Sequence, residues 1–260
     1  MKWKLIYAGR TEVGRQREIN EDSLCILPEY NLFLVADGMG GHKAGDVASR
    51  LAIDSIVDFF KLTEKEDSTW PYKYEPSLSH EENRILSSIS LANLNIYRAS
   101  KSKKEQQGMG TTIVGCVFSL EKSKVYIAHV GDSRCYQIRD HKINLLTEDH
   151  SLYYEIKQAM PHLSSKQLVH IPKNVIIRAL GVSDEVKVDM RTETIKLDDI
   201  YLLCSDGLTT MVEDEEILRI VEDNNKDLER ACDMLVERAN ENGGKDNITV
   251  VLVKVVEEGS

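Results

Sequence analysis

The sequence predicts a layered α+β fold with sheets inside and helices outside. Three observations carry that reading. Short apolar runs follow one another at close intervals with turn residues between them, the pattern of antiparallel strands. Segments of helical period arrive in blocks rather than after every strand. The last run, NITVVLVKVV from Asn247 to Val256, is apolar on both faces, as a central strand is.

In chain order, DSLCILP (Asp22 to Pro28) and NLFLVA (Asn31 to Ala36) form a hairpin around Glu29-Tyr30. From Ala44 to Phe60, Val47, Ala48, Leu51, Ile56 and Phe59 put one apolar stripe on a helix. Residues 61–79 mix charge, prolines and serines and read as a loop or insertion. A second helix spans about His80 to Lys101, with Ile85, Ile89, Ala92, Ile96 and Ala99 on one face. TTIVGCVFS, KVYIAHVG, RCYQIRD and KINLLT then read as an antiparallel meander. Residues 151–173 look irregular and partly helical. Strands return at VKVDMRTETI and IYLLCS, followed by helices near Asp214 to Asn224 and Lys226 to Asn242, the second closed by Asn242-Gly243-Gly244.

The 260 residues suffice for one large domain. With 42% hydrophobic and 29% charged residues, the composition is that of a globular chain. A net charge of −10 argues against a nucleic-acid partner, which needs a clustered positive face. The N-terminal MKWKLIYAGR lacks the apolar run of a signal peptide, and no stretch of membrane-spanning length exists, so no membrane association is expected. The five cysteines (Cys25, Cys116, Cys135, Cys204 and Cys232) are scattered without a CxxC pair, which points to structural thiols in the reducing cytoplasm.

The chemistry concentrates in acidic residues at strand ends. Asp37 ends NLFLVA and precedes Gly38; Asp206 ends IYLLCS and precedes Gly207. An Asp-Gly pair alone is the commonest hairpin signal. Two apolar strands that each end in a carboxylate are harder to dismiss, because an unpaired charge there is costly and a cation would offset the cost. Glu21 and Asp22 open the strand paired with NLFLVA, Asp246 opens the last strand, and Asp132 sits in Gly131-Asp132-Ser133-Arg134. If these ends converge, the donors are all oxygen, which suits magnesium or manganese rather than zinc. The run from Asp37 to Gly45 has neither the Gly-Lys-Ser/Thr of a Walker loop nor GxGxxG spacing, and its glycines let backbone approach a metal centre.

The ordered set Gly14-x-x-Arg17-x-x-Asn20-Glu21-Asp22, VADGMGGHKAG, Gly110-Thr111-Thr112, HVGDSR, LTEDHS, NVIIRALG, LLCSDGL and GGKDNIT resembles the protein phosphatase 2C family of metal-dependent serine/threonine phosphatases, in its bacterial form. The likeness covers nearly the whole chain. It implies one catalytic domain over 1–260, folded as a four-layer α-β-β-α sandwich of two antiparallel β-sheets flanked by helices. Residues 151–173 correspond to the family's flap, and 61–79 look longer than the compact bacterial form needs.

The resemblance also implies roles. Asp37 bridges two tightly held manganese or magnesium ions, Gly38 lends its carbonyl to one, and Asp206 and Asp246 bind the other. Glu21 acts through water on the metal, and Asp22 holds the same water network. Arg17 holds the substrate phosphate, its alternative being a surface arginine. Asp132, with Asp206, holds a third, weaker ion, its alternative being a turn residue. Hydroxide then attacks phosphorus without a covalent enzyme intermediate. The expected partners are phosphorylated proteins made by a serine/threonine kinase, and the expected state is a monomer. Met39 stands where many eukaryotic members carry a histidine proposed to protonate the leaving oxygen, and His42, nearby, reads as a surface residue. A pseudophosphatase scaffold and a phosphatase of small esters are the competing readings. Loss of metal carboxylates would mark the first, and none is lost.

Overall fold

The computed structural model describes residues 2–40, 44–64, 70–102, 104–162, 165–168, 170–172 and 174–258. Its strands are β1 (Trp3–Glu12), β2 (Asp22–Leu27), β3 (Leu32–Met39), β4 (Gly110–Thr111), β5 (Ile113–Ser119), β6 (Lys124–Val130), β7 (Arg134–Arg139), β8 (Lys142–Leu145), β9 (Asp189–Thr194), β10 (Ile200–Cys204) and β11 (Ile248–Glu257). Its helices are α1 (Ala44–Leu62), α2 (His80–Ser102), α3 (Leu152–Ala159), α4 (Ser165–Leu168), α5 (Asp206–Thr209), α6 (Asp214–Asp223) and α7 (Leu228–Glu241).

Two antiparallel sheets pack face to face, one in the order β1-β11-β10-β7-β8, the other β2-β3-β5-β6-β9 with β4 beside β3. Phe33, Val35, Val114, Ile127, Tyr201, Leu203 and Val251 fill the space between them. Helices α1 and α2 cover the outer face of the second sheet with Ala48, Ala52, Ile56, Ile85, Ile89 and Ile96. Leu208, Ile217, Val221, Ala231 and Leu235 from α5, α6 and α7 cover the first. The α-β-β-α layering follows from strands that are apolar on both faces: each sheet buries one face on the other sheet and one on helices.

The structure departs from the sequence reading in two places. The N-terminal run forms β1, paired along its whole length with β11. It escaped notice because it is an edge strand whose residues, Ala8 apart, are half-buried or exposed, so its apolar alternation is weak. The four middle strands are not one meander: β5 and β6 pair in the second sheet and β7 and β8 in the first. The chain crosses between sheets at Gly131-Asp132-Ser133, where Gly131 takes φ +110. The segment after Ser151 is partly helical, as expected: it contains α3, capped by the Ser151 hydroxyl accepting from Tyr154 N, and α4.

Residues 61 and 62 complete α1. In the rest of the described insertion, Trp70 stacks edge-on against Phe59, Tyr74 and His80. The Asn83 side chain accepts from Glu75 N and donates to Glu75 O, which pins the same stretch.

Candidate metal centre

Pairing of β2 with β3 sets Asp22 directly opposite Asp37. In the facing sheet β10 and β11 are neighbours, and Ser205-Asp206 follows one while Asp246-Asn247 precedes the other. The carboxylates therefore gather at one end of the sandwich, and hydrogen bonds join the two sheets there. Ser205 Oγ donates to Asp22 Oδ2 at 2.8 Å. Asp37 and Asp206 stand close enough for the charge of Asp206 to raise the Asp37 carboxyl. Glu21 O accepts from Gly38 N at 3.2 Å, and Glu21 Oε1 accepts from Gly45 N at 3.1 Å. Arg17 Nη2 reaches Asp246 Oδ2 at 2.7 Å.

Close backbone approach makes this convergence possible. A Cβ on Gly38 would lie 2.1 Å from Gly45 O, so only glycine lets α1 dock beside the end of β3. Asn247 organises the loop that carries Arg17: its Nδ2 donates to Val13 O and Ile19 O, each at 2.9 Å, and its Oδ1 accepts from Glu21 N at 2.8 Å.

The electrostatics are unfavourable without a cation. Removal from water, then the charge of Asp206, pushes Asp132 up to about 7. Burial pushes Asp22 up to about 7 and Asp206 up to about 6, each with neighbouring carboxylates adding to the shift. Asp37 rises well above the usual carboxylate range for the same two reasons. Asp22 Oδ1 and Asp132 Oδ1 are buried with no hydrogen-bond partner. Orphaned buried carboxylate oxygens in a set of oxygen donors fit one or more hard divalent cations.

All eight expected residues lie at this end of the molecule. Asp132 stands at its edge, where a cleft of about 490 Å³ runs from Asp132 and Asp206 past Tyr153, Tyr154 and Lys157 of α3 to Thr209 and Glu213. Arg134 offsets the cluster only in part, since all three of its guanidinium nitrogens are engaged elsewhere: Nε and Nη2 donate to Asp149 at 2.9 and 2.7 Å and Nη1 to the Tyr136 hydroxyl at 3.0 Å. Met39 is half-buried at the end of β3 and lines a second groove with Ile177 and Val182. His42 lies outside the described residues.

Sequence reasoning missed the residues that hold the carboxylates. Thr112 Oγ1 accepts from Asp37 N at 3.1 Å and shares a 2.6 Å hydrogen bond with Ser133 Oγ, so it ties the end of β3 to the Asp132 turn. Ser205 and Asn247 each adjoin a predicted ligand, which was the available signal. Asp46, near Glu21 in the first turn of α1, also carries a buried unpartnered Oδ1.

Apart from this cluster, His129, His150 and Asp189 bring three metal-capable atoms within 4.8 Å. Here the chain supplies its own cations: Arg178 Nη1 lies 3.1 Å and Lys187 Nζ 3.4 Å from Asp189 Oδ1. Burial and the neighbouring His129 push His150 down to about 4, so its ring is neutral near pH 7.

Comparison with known proteins agrees with this geometry. A family model described as Protein phosphatase 2C matches residues 11–252. The serine/threonine phosphatase stp of Listeria monocytogenes is 39% identical over 253 residues, covering 94% of each chain. The serine/threonine phosphatase PstP/Ppp of Mycobacterium tuberculosis superimposes with a TM-score of 0.83 at 30% identity, over 98% of this chain and 99% of that one. The catalytic domain of a PstP phosphatase solved with 2 manganese ions gives a TM-score of 0.79 at 31% identity, over 98% and 100% of the two chains. With strand ends, sheet order and sequence all in accord over nearly its full length, the chain belongs to the protein phosphatase 2C family of metal-dependent serine/threonine phosphatases.

Proposed function

We propose that this chain hydrolyses phosphoserine and phosphothreonine in proteins, that its strand-end carboxylates hold the cations the reaction needs, and that residues 1–260 act as one catalytic domain. The observation that carries the reading is the pair of buried, unpartnered oxygens, Asp22 Oδ1 and Asp132 Oδ1, in a crowd of carboxylates. When ionised, such a crowd is stable only around positive charge.

In this reading Asp37, the Gly38 carbonyl, Asp206 and Asp246 would together hold two cations, with Asp37 common to both. Glu21 and Asp22 hold water around the pair. Bound manganese or magnesium lowers the pKa of water so that hydroxide is available near neutral pH. The manganese found in a structural relative favours that ion here. Asp132, with Asp206, takes a third and weaker cation. Arg17, already at the cluster's rim, offers its planar fork to the substrate phosphate. No thiol serves as a nucleophile: burial pushes the Cys25 thiol up to about 11 and holds that of Cys204, next to Ser205, far above its ordinary range.

The substrates are products of a serine/threonine kinase, met in the cytoplasm by a monomeric enzyme. No helix among the described residues is long and apolar enough to cross a membrane. The test is a panel of phosphopeptides against small phosphate esters with manganese present. Higher kcat/KM on phosphopeptides is expected; turnover of small esters alone would overturn the protein-substrate assignment.

Arg17→Ala is expected to raise KM for phosphopeptides with a smaller effect on kcat, because a phosphate contact made equally in ground and transition states contributes to binding alone. Unchanged kcat/KM would leave Arg17 as the ion-pair partner of Asp246 and nothing more.

Asp132→Ala is expected to keep two bound cations by calorimetry and to lose most phosphopeptide turnover. Aryl phosphates, whose leaving groups need no proton, should suffer less. A turn aspartate would instead cost about 1 kcal/mol of stability and leave turnover alone, and equal activity on both substrate types at saturating metal would establish that role.

A further inference from the structure

His150 holds the residue before Asp132 at two points. Its backbone N–H donates to Gly131 O at 2.9 Å, and its ring Nδ1 accepts from Gly131 N at 3.0 Å. Gly131 cannot retreat from this clamp, because a Cβ there would stand 2.6 Å from Thr112 Cβ, so its φ +110 backbone already lies against the link between β4 and β5. The imidazole is itself fixed. With Nδ1 accepting, the ring proton sits on Nε2, 3.0 Å from Asp189 Oδ2. Arg178 Nη1 lies 2.8 Å from Nε2, and since both are then donors it is the Asp189 carboxylate between them that binds both groups. His129 stacks on the other side at 4.6 Å and is anchored through Nε2 to Glu148 O at 2.8 Å.

The same residue meets the flap-like segment at both ends. Ser151, the next residue, starts α3 and forms a β-bridge with Ile176, and His150 O accepts from Ile177 N at 2.9 Å. The chain leaving β8 and the chain returning after residue 173 therefore join at His150, one turn away from Asp132.

We propose that His150 is the positioning residue for Asp132: its double contact with Gly131 sets the Asp132 carboxylate for the weaker cation, and through Ile177 and Asp189 it ties that carboxylate to the base of the flap-like segment. This rests on the reading of Asp132 as a cation ligand.

Two conservative variants separate the halves of the network. In His150→Asn, Oδ1 stands where Nδ1 was and still accepts from Gly131 N, while the reach to Asp189 is lost. In His150→Gln, Nε2 reaches toward Asp189, but a carbon occupies the δ position. The first readout is hydrogen exchange at the Gly131 amide in metal-free protein. Exchange should stay slow in the Asn variant and speed up in the Gln variant. The second is catalysis with melting temperature measured alongside. The Gln variant should need about tenfold more manganese for half-maximal activity and lose about tenfold in kcat on phosphopeptides, with little change in KM. The Asn variant should be rescued in both.

Equal Gly131 exchange and equal kcat in the two variants would overturn the proposal. Should the Gln variant not fold, the Asn variant decides alone, and loss of turnover there at unchanged melting temperature overturns it. Asp132→Ala measured in parallel separates the layers. An impaired Asp132→Ala beside a wild-type-like His150→Gln sinks the positioning role only, whereas a fully active Asp132→Ala sinks the cation-ligand reading beneath it.

Discussion

Asp37→Ala and Asp206→Ala should each abolish nearly all phosphopeptide turnover at saturating manganese. Each removes a carboxylate from the proposed cation site, and the neighbouring carboxylates already have an oxygen engaged. Asp22 is committed to Ser205 through Oδ2, Asp246 to Arg17, and Glu21 to Gly45 N. Retention of even a tenth of wild-type turnover, a loss of only about 1.4 kcal/mol of transition-state stabilisation, would contradict the assignment. Loss of the fold is a poor alternative explanation, because the metal-free variants should be more stable than metal-free wild type. The carboxylates of Asp22, Asp206, Asp132 and Asp246 all raise the cost of charging Asp37, and removing any member relieves that repulsion. Thermal melting in chelator at pH 8 shows the gain; a large drop in melting temperature would mean that the aspartate is structural.

The parts of this molecule that were legible in sequence are those whose cause is local. The β2–β3 hairpin shows as two short apolar runs, and α1 and α2 show as helical stripes because each buries one face on one sheet. Strand β11 is apolar on both faces because it lies between β1 and β10 in one direction and between helices and the other sheet in the perpendicular one. What stayed hidden depends on distant partners. Nothing in Gly131-Asp132-Ser133 says that the chain changes sheets there, since a hairpin turn uses the same residue types. β1 shows too weak an alternation to read as a strand until β11, more than 230 residues later, supplies its pairing. The carboxylates were found by their place at strand ends and by likeness to a family. Ser205, Asn247, Thr112 and His150 were not, because a serine, asparagine, threonine or histidine in a polar motif carries no mark of what it will hold. His150 and Asp189 are 39 residues apart and meet only because β6 pairs with β9.

Stripped of metal, the enzyme should be inactive and should lose stability as the pH rises from about 4 to about 7. Chelator is expected to abolish turnover, manganese or magnesium to restore it, and zinc not to, since the donors are all oxygen. The pH trend follows from the carboxylates. Burial lifts Asp132 from 3.8 to about 7 in the folded protein. A group whose folded pKa lies above its unfolded value binds its proton more tightly in the native state. Its contribution is then least unfavourable below about 4, becomes costly as the unfolded carboxyl ionises first, and levels off above about 7. For Asp132 alone that interval corresponds to roughly 4 kcal/mol at about 1.4 kcal/mol per pH unit. Net negative charge elsewhere on the chain pushes the same way, so the decisive quantity is a difference. Metal-free wild type and Asp132→Asn should have nearly equal stability at pH 4. By pH 8 the asparagine variant should be the more stable by several kcal/mol, since an amide has no charge to bury. Saturating manganese should narrow that advantage, because both proteins keep the two tight cations and only the wild type, with Asp132 ionised, takes the third. Parallel stability curves for the two metal-free proteins across this range would show that the Asp132 carboxylate is not held against its charge, and the case for a cation beside it would fail.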